Sequence, residues 1–271
     1  MPAKNTSRTG AVSFGLGESI SVVEEEQVEI KDALLLVGFP TVGLVSSIVA
    51  NHVIRQLKLR RIGHVSSRYF FPSSVVIDGV PNPPVRIYAG EHICGPGRQC
   101  QQVLVVASEF LIQPDIIDPT SEAIIEWARK RKVRTVVTVE GVNVEDSRNE
   151  SDPAVVGVGS TIDARHSLKE LGVQLMSDGM VGGVSGALLY KGSIRRLPVI
   201  SLLVEAPANY PGARSAAKAI EILDRMLPLI KLDPQPLYQK AREIEQSIME
   251  AMSRAAPRKE LGSGDHPPGY M

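Results

Sequence analysis

The 271-residue sequence predicts an α/β protein, a mostly parallel sheet with helices on both faces. Three observations carry that expectation. Short continuous apolar runs recur at Ala33-Leu34-Leu35-Leu36-Val37, Val103-Leu104-Val105-Val106-Ala107, Thr135-Val136-Val137-Thr138-Val139 and Val199-Ile200-Ser201-Leu202-Leu203-Val204. Runs of this kind mark strands covered on both faces. Between them lie segments whose apolar residues fall at steps of about three and four, the spacing of a helix face. Prolines, glycines and capping residues stand at the joints.

The elements follow in order. Residues 1–26 lack periodicity and end in Glu24-Glu25-Glu26, so they read as a flexible N-terminal segment leading into a core domain of residues 27–232. The first strand runs into Gly38-Phe39-Pro40-Thr41-Val42-Gly43, a tight turn and helix start. The helix from Thr41 to Leu57 gathers Val42, Val45, Val49 and Val53 on one face. After the proline-rich turn Pro81 to Pro84, Val85-Arg86-Ile87-Tyr88 suits an antiparallel addition at the sheet edge. The next helix opens with Asp118 as N-cap and Pro119 at its first position. It closes on Lys130, Arg131 and Lys132, whose charges suit its carboxyl end. A further helix follows Gly212 and turns Ala216, Ile220, Leu223, Leu227 and Ile230 inward.

Asp233-Pro234 then opens a C-terminal amphipathic helix, residues 233–254, with Leu237, Ala241, Ile244, Ile248 and Met252 at a step of about 3.5. Residues 255–271, rich in proline and glycine, hold too little apolar material to order themselves, and they read as a disordered tail ending on Tyr270-Met271. An aromatic with no core to fill points to a pocket on a partner.

Composition narrows the function. With 43% hydrophobic and 22% charged residues the chain buries a substantial core, read as one domain with extensions. Lys+Arg and Asp+Glu each total 30, so no net field draws it to nucleic acid or to a membrane surface. No apolar run reaches the ~20 residues of a membrane span, and no apolar stretch follows the first cations, so a cytoplasmic protein is expected. The two cysteines, Cys94 and Cys100, are too few for a disulfide framework and are expected as reduced thiols.

Three carboxylates, Glu109, Glu140 and Glu205, stand where strands end. Ligands of open parallel sheets bind at that edge, where converging carboxylates would shift one another's pKa and make an acid/base or metal cluster. The competing reading is that sheet order keeps them apart, each at its own loop. The Gly38 to Gly43 turn lacks the Lys-Ser/Thr pair of a P-loop and reads as a packing turn. The loop holding Gly182, Gly183, Ser185 and Gly186 is able to bring backbone close to a phosphate or to a neighbouring subunit. Ser185 lacks the Gly-x-Ser-x-Gly frame of a nucleophile elbow, and Gly157-Val158-Gly159 lacks the third glycine of a dinucleotide fingerprint. Ser160, Asp163 and His166 read as a capped, solvated helix start rather than a relay. His92, Cys94 and Cys100 lack a fourth zinc ligand and the paired short spacing, so no metal is expected, nor any cofactor. Trp127 reads as core.

Taken together, Leu36 to Val45, Val139-Glu140-Gly141, Gly182 to Leu189 and Val204-Glu205-Ala206 resemble the archaeal branch of the proteasome assembly chaperone family, in the same order over roughly residues 30 to 230. The resemblance implies a core like that of nucleoside phosphorylases, self-association, and no established catalytic step. It also implies a use for the tail. Proteasome activators and some of these chaperones end in a hydrophobic residue, a tyrosine and any residue, which enter pockets between neighbouring subunits of the α ring. Tyr270 and Met271 match the last two positions, whereas Gly269 stands where the pattern prefers a hydrophobic side chain. A homo-oligomer, a tetramer, is expected from the apolar last helix and the glycine-rich loop. The competing function is a phosphorylase-like enzyme or small-molecule-binding protein using the glycine-rich loop and the strand-end carboxylates. Neither glycine turn contains the Lys or Arg that a phosphate needs, which favours protein binding.

Overall fold

A computed structural model describes residues 12–14, 20–96, 100–143 and 152–255, with side chains between 20 and 248. The four apolar runs form the centre of the sheet: β3 (Ala33–Gly38), β9 (Cys100–Ser108), β10 (Thr135–Val142) and β13 (Val199–Glu205). They lie side by side in the order β9-β3-β10-β13, all parallel. Period-two alternation splits each run between two cores. In β3, Ala33, Leu35 and Val37 face one way, while Leu34 and Leu36 face the other.

Helices α2 (Pro114–Lys130) and α4 (Gly183–Arg195) cover the first face. The second is covered by α1 (Val45–Gln56), α3 (Ile162–Glu170) and α5 (Ala213–Met226). Antiparallel strands extend both flanks. On the β9 side lie β1 (Val12–Phe14), β2 (Ile20–Glu24), β4 (Arg60–Ser67) and β7 (Val85–Ala89), in the order β1-β2-β4-β7-β9. On the β13 side lie β11 (Val155–Gly159), antiparallel to β13, and β12 (Gln174–Leu175), parallel to β11. Strands β5 (Val75–Ile77) and β6 (Val80–Asn82) form a separate hairpin, and β8 (Ile93–Cys94) pairs with β9.

Several expectations are corrected. Residues 20–24, expected in a flexible lead-in, form a sheet strand whose Ile20 and Val22 are core. The acidic run is why it looked solvated, yet each carboxylate has a partner on another element. The Trp127 indole N–H donates to Glu24 at 2.6 Å, Arg61 donates to Glu25 at 2.8 Å, and Arg60 donates to Glu26 at 2.6 Å. Strand β7, expected at the sheet edge, is wholly buried between β4 and β9.

Helix α2 starts at Pro114, not after Asp118; Pro119 lies inside it and Asp118 instead reaches Lys191 of α4 at 2.8 Å. Lys191 also meets Glu122, and Arg195 meets Glu122 and Glu126, so ion pairs tie α2 to α4. The helix expected from Thr41 begins at Val45, after a 3-10 turn over Val42–Leu44. Helix α5 stops at Met226 because Pro228 excludes Leu227 from the helical region; Leu227 and Ile230 are core residues outside it. Cys94 and Cys100, expected as thiols, are register partners across β8 and β9 and are joined in a disulfide.

Helix α6 (Gln235–Ala255) begins beside Asp233, whose carboxylate accepts from the Gln235 N–H at 3.0 Å. It lies across α5, with Ala241 buried, Tyr238 donating to Glu221 at 2.7 Å, and Arg214 gripping Glu245 through two nitrogens. Part of the apolar face expected to serve self-association is therefore used within the chain. Among the described residues no helix is long and apolar enough to cross a membrane.

Candidate functional site

The Gly38 to Gly43 turn is held by close backbone approach. A Cβ on Gly38 would fall 2.5 Å from that of Ala50 on α1. Gly43 sits at φ +61 with its carbonyl accepting from the Gly212 N–H at 2.7 Å, which ties the turn to the start of α5. The Thr41 hydroxyl accepts from the Gly141 N–H at 3.2 Å, and a Cβ on Gly141 would lie 2.0 Å from the Val42 carbonyl oxygen. The backbone of the turn is thus committed to packing, as the missing Lys-Ser/Thr pair implies.

The second glycine turn starts α4. A Cβ on Gly186 would meet the Val181 carbonyl oxygen at 2.1 Å, whereas a Cβ on Gly182 or Gly183 would meet nothing within 4 Å among the described residues. Ser185, on the first turn of α4, donates its hydroxyl hydrogen to Glu140 Oε1 at 2.5 Å. Burial pushes the Glu140 carboxyl up to about 7, against the Ser185 hydrogen bond, which favours the ionised form.

Between the two turns lies a cavity of about 330 Å³. Its walls are apolar, from Phe39, Ile112, Ile117, Met176, Val184 and Leu203; Glu140 and Thr41 supply its polar side chains. Leu111 and Met180, 72% and 92% exposed, also line it, as do Gly141, Gly182 and Gly183 of the surrounding turns. Sequence reading found both glycine turns and Glu140 but missed these apolar residues, which have no common spacing.

The three strand-end carboxylates do not converge. Glu109 pairs with the guanidinium of Arg86, which is 1% exposed on β7. Glu205 accepts from the Ala154 N–H at 3.3 Å, and β3 separates Glu109's strand from that of Glu140. Burial and Ser185 therefore set the Glu140 environment. The remaining candidates are structural. Ser160 donates to the Leu197 carbonyl at 2.9 Å and accepts from the Val199 N–H at 2.8 Å. Thr161 caps α3 by accepting from Ala164, and His166 pairs with Glu170 on its exposed side. Trp127 is fully buried. No group of His, Cys, Asp or Glu among the described residues is arranged to hold a metal. Gly269, Tyr270 and Met271 lie outside the described residues.

Comparison with known proteins places this architecture. An uncharacterized protein of Methanocaldococcus jannaschii is 27% identical over 233 residues, which is 86% of this chain and 91% of that one. The crystal structure of Pyrococcus furiosus PbaA, an archaeal homolog of proteasome-assembly chaperone, matches with a TM-score of 0.76 and 26% identity, covering 88% of this chain and 93% of PbaA. Pyrococcus furiosus PbaB, an archaeal proteasome activator, shares the fold at a TM-score of 0.73 and 20% identity, covering 86% and 99%. Residues 35–252 match the PAC2 family profile, a span that runs from within β3 into α6 and contains β9, β10, β13, both glycine turns and Glu140. The chain belongs to the PAC2 family.

Proposed function

We propose that this protein is a proteasome assembly chaperone or activator-like protein, working by binding rather than catalysis, that engages the α ring of the proteasome core through tails ending in Tyr270-Met271. The observation that carries this reading is the 26% identity, over 88% of the chain, to PbaA, a homolog of proteasome-assembly chaperone. In it, Tyr270 brings a rigid ring and a hydroxyl, and a carboxylate on Met271 pairs with a lysine of the ring. Gly269 leaves unfilled the place where the tail pattern prefers an apolar side chain. Each docking event is weak, and tails carried together on a cytoplasmic homo-oligomer, a tetramer, reinforce one another through effective concentration. The catalytic alternative has less support. Glu109 and Glu205 are engaged elsewhere, and no Lys or Arg among the described residues lines the cavity to neutralise a phosphate.

The test is to mix the purified protein with isolated proteasome α rings and measure the mass of the eluting species. A complex at micromolar concentration is expected, and α rings that elute alone overturn the reading. Gly269→Leu should tighten the complex about tenfold through added apolar contact. One residue appended after Met271 should weaken it by moving the carboxylate.

A further inference from the structure

We propose that the cavity between the Gly38 to Gly43 turn and the start of α4 is a binding site for a small molecule with a flat apolar body and one N–H-bearing, preferably cationic, edge, which Glu140 receives. The site is independent of the tail. At about 330 Å³ the space falls at the small end of ligand sites, which run from roughly 300 to 1,000 Å³. Its composition is that of such sites, apolar walls around very few polar groups.

The polar chemistry selects the ligand. Glu140 is the only titratable side chain lining the cavity among the described residues, and no cation lines it. A phosphate or carboxylate would meet an acidic group and, among the described residues, no side-chain cation; the start of α4 offers it only the partial charge of backbone N–H groups. An N–H edge would meet an acceptor. Ser185 fixes one Glu140 oxygen, and the other has no hydrogen-bond partner among the described residues. The carboxylate is thus oriented and still has acceptor capacity. A delocalised cation suits this place better than an ammonium, because it sheds its water more easily in an apolar surround.

The glycines give a second, independent pointer. Gly141 and Gly186 are required by packing, since a Cβ on either would overlap a carbonyl oxygen at 2.0 or 2.1 Å. Gly182 also lines the cavity, but it sits at φ −97, which any residue adopts, and a Cβ there would meet nothing within 4 Å among the described residues. Nothing among the described residues requires a glycine at 182. A side chain there would meet none of the described residues beside the cavity, so its absence leaves that approach clear of them for something from outside.

Three molecules of one shape test the charge preference by isothermal titration calorimetry at about pH 8 with the full chain: benzamidine, benzamide and benzoate. Benzamidine should bind with a dissociation constant on the order of 1 mM or tighter, at least about tenfold better than benzamide, and benzoate should not bind. Glu140→Gln keeps an acceptor for Ser185 and should erase the preference for benzamidine, with the fold checked by circular dichroism. Gly182→Leu, which leaves Glu140 untouched, should block benzamidine by occupying the approach. Lowering the pH to about 6 should weaken benzamidine severalfold and leave benzamide unchanged, because Glu140 takes up a proton near 7. Equal binding of all three molecules, no heat with benzamidine, or an unchanged preference in folded Glu140→Gln would each overturn the site.

Discussion

Gly141 and Gly182 line the same cavity under opposite constraints. Gly141→Ala drives a methyl group into the Val42 carbonyl and should cost about 2 to 3 kcal/mol in chemical denaturation. Gly182→Ala should stay within about 0.5 kcal/mol of wild type, since its methyl meets none of the described residues. Equal costs would show that the two backbone environments are not as described. Glu140 carries a pH signature of definite sign. Its folded pKa is raised to about 7 from an ordinary 4.5, so the folded chain holds a proton that the unfolded chain releases between those values. Stability from this group is therefore full at low pH and falls as the pH rises through 7. Glu140→Gln should flatten that slope and gain up to about 3 kcal/mol at pH 8, read from denaturation midpoints across the range. At this scale the sequence was legible where chemistry is local. It marked Glu140 and both glycine turns, but Glu109's partner Arg86 lies 23 residues away on an antiparallel strand, and no spacing announces that pair. The cavity walls were equally illegible, because they come from separate elements that meet only in the fold.

The elements read most easily were the parallel strands, since a strand buried on both faces must be continuously apolar. Strand β2 was missed because one of its three core-facing positions is Glu24, a carboxylate buried against the Trp127 indole and Arg131. A buried acid looks solvated in sequence unless its partner is known. The N-terminal strand thus has a stability role. Removing residues 1–24 would uncover β4, discard the buried Ile20 and Val22, and leave Trp127 without its acceptor. The expected loss is on the order of 5 kcal/mol, a fall in Tm of about 10 °C or more by calorimetry. A truncated chain melting with the full one would show β2 to be dispensable. The start of α2 was misread for a different reason. Pro114 and Pro119 both carry the first-turn signal, and the choice is made by Asp118 turning to Lys191 on α4.

Over the whole molecule, alternating strands and helices predicted the two covered faces, but not the strand order. Antiparallel pairing inserts β7 beside β9 in the interior of the sheet, where a proline-preceded strand is unusual. The apolar stripe of α6 was legible as well, yet its Leu237 and Ala241 are used on the chain's own core, so only the rest of that stripe is left for the self-association expected of it. Light scattering at micromolar concentration should still return a multiple of 29.3 kDa, a tetramer being expected; a value near 29.3 kDa would remove the reinforcement that weak tails need. The proposal that the molecule docks on the proteasome meets its sharpest test at Tyr270. Affinity for immobilised α rings should be measured by surface plasmon resonance for wild type and Tyr270→Ala, with oligomer mass and melting temperature matched. Loss of the ring and its hydroxyl should cost about 2 kcal/mol per engaged tail, multiplied over tails that act together, so binding should fall below detection. If Tyr270→Ala binds α rings as tightly as wild type, the tails are not what docks.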